Sequence, residues 1–299
     1  MQRRFIYFIN PISGTKNKDS VLAIIQQKTS AQNIPFEILH TNAAGNYNYL
    51  QQKIIDEKIT DVIICGGDGS VNQVANYLQK VNVNVGIIPM GSGNGLALAA
   101  KIPKHTSKAM DIIFAGKSDW VDAFYLNKKF SCMLCGLGFD AQVAHDFAKQ
   151  SKRGLATYVK QSIKNFMIAK PYPFTIWVDN VPLHTEAFFI SIANSNQFGN
   201  NFTIAPKASL QDGLLDIVIV NKMSKARMLW TILKQIKLGQ IKPYEDKKYH
   251  SHEIGYFQAK KIKIENPNLA PLHIDGDPAE TNKIFEAVIV EKAFKLLMP

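Results

Sequence analysis

Cysteine is scarce in this 299-residue chain: Cys65, Cys132 and Cys135 are all it has. So small and odd a set cannot staple a disulfide framework, and it suits a reducing, cytoplasmic setting. Cys132 and Cys135 form a C-x-x-C, but inside an apolar run rather than at a helix start that would stabilise a thiolate. Buried free thiols are therefore expected rather than a redox pair. Long hydrophobic runs are lacking too. The uncharged stretch 81–100 is broken by Asn82, Asn84, Pro89, Asn94 and four glycines, so no membrane span is expected. The apolar run Phe5 to Ile9 is too short for a signal peptide. A G-x-x-x-x-G-K-[ST] phosphate loop is missing, and in the Gly91-Ser92-Gly93 stretch Leu96 takes the place of the third glycine of a dinucleotide fingerprint. Acidic side chains are outnumbered, 24 against 35 basic, for a net charge of +11. That surplus calls for an anionic partner: a nucleotide, a nucleic acid or a membrane surface.

What is present is enough for a core and for two domains. Hydrophobic residues make up 46% of the chain, which excludes a disordered class. Over 1–118, short apolar runs at Phe5–Ile9, Phe36–His40, Val62–Cys65 and Val85–Ile88 read as buried strands. Helical patterns near 19–29, 47–58 and 71–80 lie between them. Such alternation predicts an α/β nucleotide-binding domain with a parallel sheet. From 119 to 291 the rhythm changes to runs rich in β-branched and aromatic residues, at 121–125, 129–135, 173–179, 187–193, 215–220, 260–265 and 284–290. Helical patterns near 153–169 and 224–238 interrupt them. This is a β-rich second domain, a sandwich or an open barrel. Pattern alone leaves open whether 292–299 returns to the first domain.

Three apolar strands of the first domain run straight into turns rich in Gly, Ser and Asn: Asn10-Pro11-Ile12-Ser13-Gly14, Gly66-Gly67-Asp68-Gly69-Ser70, and Pro89-Met90-Gly91-Ser92-Gly93-Asn94. In an open parallel sheet the loops at the strand carboxyl ends share one crevice, where ligands bind. Glycines let backbone N–H groups approach phosphate oxygens, and a following helix N-terminus adds a favourable dipole. Any one of these loops could be a plain turn. Asp68 is the most specific element, because it fixes a carboxylate inside such a turn.

These segments resemble, in order and over almost the whole chain, the diacylglycerol kinase catalytic-domain family of lipid kinases. That family includes bacterial lipid kinases and sphingosine and ceramide kinases. Besides the three loops, the matching motifs are Gly136-Leu137-Gly138-Phe139-Asp140, Asp212-Gly213-Leu214-Leu215-Asp216 and Ile274-Asp275-Gly276-Asp277. The resemblance implies a two-domain kinase that holds ATP in a cleft and transfers its γ-phosphoryl group to a lipid hydroxyl, of a diacylglycerol or a sphingoid-type acceptor. It implies nucleotide contacts at Asn10, Ser13, Gly14, Gly66, Gly67, Gly69, Ser70, Gly91, Ser92, Gly93, Asn94 and Asp277, the last replacing the usual glutamate. It matches Asp275 to a general base and Asp212 with the Leu214 backbone to a structural Mg²⁺ site. Asp68 is the competing base, and Asp216 stays undecided between a metal site and a turn. The acidic residue that sphingosine kinases place after the Gly-Phe motif corresponds to Ala144, with Asp140 and Asp146 on either side.

The two alternatives are an NAD kinase-like phosphotransferase, which also carries Gly-Gly-Asp-Gly, and a lipid- or nucleotide-binding regulator without turnover. Phosphoryl transfer asks a protein mainly for positioning and charge neutralisation, which these loops and carboxylates supply. The positive charge is segregated: 147–170 carries six basic and no acidic residues, and 222–248 carries eight basic and two acidic. Leu155, Tyr158, Val159, Phe166 and Met167 suit one apolar helix face, with Lys160 and Lys164 elsewhere. Leu229, Ile232, Leu233 and Ile236 make a second stripe. Basic amphipathic helices can lie on an anionic membrane surface as peripheral anchors or pack on a sheet with a solvated basic side. Lys152 and Arg153 are placed to face phosphates if the family pattern holds. No helix-turn-helix, zinc-finger spacing or RNP-like motif is visible, so nucleic acid is not expected as a partner. A homodimer is left open.

Overall fold

The computed structural model describes residues 2–14, 18–150, 155–197, 203–227 and 254–299. It divides into two compact units, Met1–Asp122 with Glu291–Pro299, and Ala123–Val290. Lys152, Arg153 and the Leu229–Ile236 stripe lie outside the described residues.

In the first unit β1 (Phe5–Ile9) is apolar and buried at every position. A strand with both faces buried belongs in the middle of a parallel sheet. It runs parallel to β2 (Phe36–His40) on one side and β3 (Asp61–Gly66) on the other, and β3 runs parallel to β4 (Asn84–Pro89). Beyond β4, Lys295 and Leu296 pair in parallel with Asn84 and Val85. The crossovers are α1 (Lys18–Ala31), α2 (Leu50–Asp56) and α3 (Asp68–Ala75), followed after β4 by α4 (Gly95–Ala99) and α5 (Thr106–Ala115). The helix expected near 71–80 begins earlier, at Asp68. Gly67 in extended conformation is its N-cap, and Asp68 suits the positive end of the dipole.

The lower edge of this sheet, away from the loops, is closed by a buried charge. Arg3 grips Asp61 through Nε–Oδ2 at 3.0 Å and Nη2–Oδ1 at 2.6 Å, and donates to the last carbonyls of α5 at Ile113 and Phe114. Asn84 and Thr60 supply two further donors to Asp61, so its carboxylate is buried without an orphaned oxygen.

The second unit is antiparallel. β5 (Ser118–Leu126) enters it and pairs with β6 (Lys129–Ser131), followed by β7 (Leu134–Gly138), α6 (Phe139–Ala148) and α7 (Leu155–Ile168). Then come β8 (Tyr172–Val178), β9 (Val181–Ala193), β10 (Leu215–Asn221), β11 (Ile254–Ala259), β12 (Lys261–Glu265), β13 (Leu272–Ile274), β14 (Asp277–Ala279) and β15 (Ile284–Leu297). The long β9 joins two layers. Its first half pairs with β8, its second half with β7 and β10. Alternate residues of five strands fill the space between: Cys135 and Leu137, Phe174 and Ile176, Ile190 and Ile192, Leu215, Ile217 and Ile219, Ile262 and Ile264. This is the period of two that a sandwich face demands.

The sequence pattern passes over α6, β11 and the hairpin β13–β14. The two hairpin strands have three residues each, too few to show a period. All three cysteines are free and buried, and burial pushes the thiols of Cys65 and Cys135 up, away from reactivity. No helix among the described residues is long and apolar enough to cross a membrane.

Candidate active site

The parallel strands of the first unit deliver three loops to one edge, and backbone contacts knit them together. The Asn10 amide donates to the Cys65 carbonyl at 2.9 Å, and the Met90 amide to the Gly66 carbonyl at 2.8 Å. Asn10 Nδ2 reaches Ser70 Oγ at 2.8 Å while its Oδ1 accepts the Ile12 amide at 3.0 Å. Ser13 Oγ donates back to the Asn10 carbonyl at 3.2 Å. A β-carbon on Gly14 would overlap the Met90 carbonyl oxygen, and one on Gly91 would stand 2.6 Å from the Gly67 α-carbon. Side chains at these glycines would fill the space between the loops.

Asn94 and Asp68 fix the third loop. Asn94 adopts the left-handed conformation, φ 55° and ψ 48°, which Asn tolerates better than most residues. Its side chain accepts the Gly91 amide at 2.8 Å and donates to the Gly91 carbonyl at 2.7 Å, closing a ring around Ser92 and Gly93. Asp68 Oδ1 accepts the Leu96 amide at 3.3 Å, in the first turn of α4. Gly67, Asp68 and Gly69 are half-buried, while Ser70 and Asn94 are buried. Asn10, Ser70 and Asn94 thus shape the loops, and the glycines with Asp68 form their accessible surface. Sequence reasoning passed over Lys18. Its ammonium donates to the Ser13 carbonyl, and burial holds it below the ordinary lysine value. Its only signal in the sequence was a lysine a few residues beyond a glycine-rich turn.

In the second unit, Asp275 and Gly276 form the two-residue turn of the β13–β14 hairpin, with φ 48° and 86°. Two positive φ values in a two-residue hairpin loop are the reason for Asp-Gly here. The Asp275 carboxylate is buried and accepts from Ser131 Oγ at 2.6 Å and from the amides of Cys132, Met133 and Leu134 at 3.1, 3.1 and 3.0 Å. A carboxylate so engaged anchors the 131–134 segment and has little capacity left for a substrate proton. Asp277, one residue past the turn, is exposed.

Beside that hairpin lies a buried pair. His273 Nε2 stands 3.3 Å from Asp140 Oδ2, and His273 Nδ1 accepts the Gly276 amide at 3.3 Å. With Nδ1 accepting that amide, Nε2 is the ring nitrogen left to donate to Asp140. Gly136 makes room for both, since a β-carbon there would overlap the Asp140 carboxylate and the imidazole. Asp140 also accepts the Ala141 amide, so it is committed. Asp146 is bound by Asn165 Nδ2 at 3.1 Å, and Ala144 is buried in α6.

The turn before β10 holds the remaining carboxylates. Asp212 Oδ1 accepts the Leu214 amide at 3.1 Å and its side chain is exposed. Asp216 is fully buried, accepts from Tyr256 Oη and lies 3.2 Å from Gln258 Nε2. Burial pushes its carboxyl up to about 6, aided by the charge of Asp212 and opposed by the two donors. Two neighbouring carboxylates supply hard oxygens of the kind Mg²⁺ takes together with water. No cluster of three or more His, Cys, Asp or Glu side chains able to hold a metal occurs among the described residues.

Comparison with known proteins covers both units. Residues 4–126 match the diacylglycerol kinase catalytic domain, and residues 134–296 match the YegS C-terminal NAD kinase beta sandwich-like domain. A probable lipid kinase, YegS-like, from Shewanella frigidimarina (strain NCIMB 400) is 28% identical over 262 residues, spanning 83% of this chain and 80% of that one. A diacylglycerol kinase from Bacillus subtilis (strain 168) is 24% identical over 279 residues, spanning 92% and 89%. Among solved structures, a diacylglycerol kinase from Bacillus anthracis str. Sterne superposes with a TM-score of 0.74 at 20% identity, covering 99% of this chain and 97% of that one. That likeness carries the fold.

Proposed function

Because the chain belongs to the family that joins a diacylglycerol kinase catalytic domain to a YegS C-terminal NAD kinase beta sandwich-like domain, we propose that it is a lipid kinase transferring the γ-phosphoryl group of ATP to a lipid hydroxyl. The observation that carries the reading is the mutual approach of Gly14, Gly67 and Gly91, which holds three glycine-rich loops at one sheet edge. The loops fit a polyphosphate, since their N–H groups and the start of α3 are suited to anionic oxygens. Gly14, Gly67, Gly69, Gly91, Ser92 and Gly93 would contact the nucleotide. Asn10, Ser70 and Asn94 would keep those contacts in place.

Asp68 is the better general base of the two carboxylates, because the oxygens of Asp275 are already taken up by four donors of the 131–134 segment. In this reading Asp68 accepts the proton of the lipid hydroxyl, and Asp275 holds the 131–134 segment. Mg²⁺ bound with the nucleotide would neutralise phosphate charge. Asp212, with the Leu214 carbonyl and Asp216 beside it, would hold a structural cation. Diacylglycerol is the default acceptor, reached by peripheral association with an anionic membrane.

The test is transfer from γ-labelled ATP with Mg²⁺, offering diacylglycerol, sphingosine or NAD separately. Label in an organic-extractable product supports the proposal. Label confined to a dinucleotide, or ATP binding without transfer to any acceptor, contradicts it.

A further inference from the structure

The hairpin turn at Asp275-Gly276 is held far more firmly than a two-residue turn requires. Four donors of the 131–134 segment take the Asp275 carboxylate, and its own amide donates to the Leu134 carbonyl at 2.9 Å. Gly276 is exposed, so water could take its amide, yet the buried His273 ring accepts it through Nδ1. Helix α6 grips the same strand twice. Asp140, in its first turn, accepts from His273 Nε2 at 3.3 Å, and His145 Nε2 donates to the Leu272 carbonyl at 2.8 Å. The opposite face of this sheet is apolar, with Cys135, Leu137, Ile190, Ile192 and Leu272 in the core. A histidine and a carboxylate in the covering layer cost desolvation that apolar side chains would avoid, and they fit only because residue 136, opposite His273, is glycine.

We propose that His273 is a positioning residue for phosphoryl transfer, fixed by Asp140 through one ring nitrogen and fixing the hairpin turn through the other. That hold makes the residue after the turn, Asp277, present its exposed carboxylate in one place. The inference rests on the lipid-kinase reading and on the nucleotide contact that the sequence resemblance implies for Asp277. Phosphoryl transfer depends on placement, and a misplacement of about 1 Å can cost about 10²-fold in rate. The ring acts without touching substrate: it is 1% exposed, and both nitrogens are engaged within the protein. The left-handed φ of 48° at Asp275 belongs to the same device, since a non-glycine residue stays there when its surroundings over-determine it. A pair that only filled space would be served by any side chains of the same volume. Separate tasks for the two nitrogens demand more.

The experiment compares His273→Asn with His273→Gln in the full chain, each alone and combined with Asp277→Ala. The readouts are turnover on Mg-ATP and short-chain diacylglycerol, and hydrogen exchange of the Gly276 amide followed by NMR. The asparagine oxygen occupies the bonded position of Nδ1 and keeps an acceptor for that amide, whereas the glutamine amide reaches Asp140 and leaves the turn unheld. His273→Gln should lower kcat by about tenfold or more and speed Gly276 exchange, with the KM for lipid unchanged, while His273→Asn should lose far less. With Asp277→Ala in place the two should turn over alike, because the group they position is gone. Denaturant unfolding beside these assays accounts for any stability lost. Equal turnover of the two variants with Asp277 present, or turnover that follows stability alone, would overturn the inference and leave the kinase reading intact. So would a difference between them that persists with Asp277→Ala. No transfer to any lipid by the parent chain would overturn the kinase reading, and the role of His273 in transfer with it.

Discussion

Gly67 and Gly91 come from loops after different strands, yet a β-carbon on Gly91 would stand 2.6 Å from the Gly67 α-carbon. Their backbones meet because neither carries a side chain, and the proposed phosphate cradle depends on that meeting. Gly91→Ala should therefore raise the dissociation constant for ATP by roughly tenfold or more, about 1.4 kcal/mol. Calorimetric titration with nucleotide checks this, and far-ultraviolet circular dichroism should show the fold retained.

Asp68 and Asp275 should respond differently to the same chemical change. Asp68→Asn is expected to cut kcat by about 10²–10⁴ with little loss of stability. Asp275→Asn turns an amide group toward donors that need an acceptor, costing roughly 3 kcal/mol of stability. Thermal unfolding read beside turnover separates the two. Wild-type Tm in Asp275→Asn with turnover abolished would move the base back to Asp275.

Gly136→Ala should be among the most damaging single substitutions in the second unit. The added methyl overlaps both members of the His273–Asp140 pair, neither of which can retreat within a buried layer. Overpacking of this kind costs about 1–3 kcal/mol. Denaturant unfolding measures it directly.

Asp216 gives stability a pH dependence of definite sign. Its carboxyl is raised from 3.8 to about 6, so the folded protein holds that proton more tightly than the unfolded chain. The contribution is fully present below about pH 3.8 and is lost as pH rises through about 6. Asp216→Asn should flatten this part of a stability–pH curve, measured as the unfolding midpoint between about pH 4 and pH 7. A variant curve that falls as steeply as wild type would exclude Asp216 as its source.

Much of this architecture was legible because it is written locally. Apolar runs such as Phe5–Ile9 ending in glycine-rich turns announce strands and loops. The Asp275-Gly276 dipeptide announces a tight turn. What these residues hold was not legible. The donors that saturate Asp275 lie more than 140 positions upstream, and only the paired strands β7 and β13 bring them together. Gly136 stood in the sequence as part of a motif, but its reason is the imidazole arriving from another strand. The orientation of α7 was hidden because burial of Gln161 and Asn165 opposes the apolar pattern from which a helix face is read, and Met167, expected on the packed face with Phe166, is exposed. The start of α4 shows the same limit, since the Leu96 amide in its first turn is held by Asp68 from a distant loop.

Phosphorus NMR of the purified chain with ATP, Mg²⁺ and short-chain diacylglycerol follows donor and product together. A lipid phosphomonoester resonance should grow as the ATP γ-phosphate resonance falls, and should be absent for Asp68→Asn. Unchanged ATP, or a new phosphomonoester only when NAD replaces the lipid, would contradict the account.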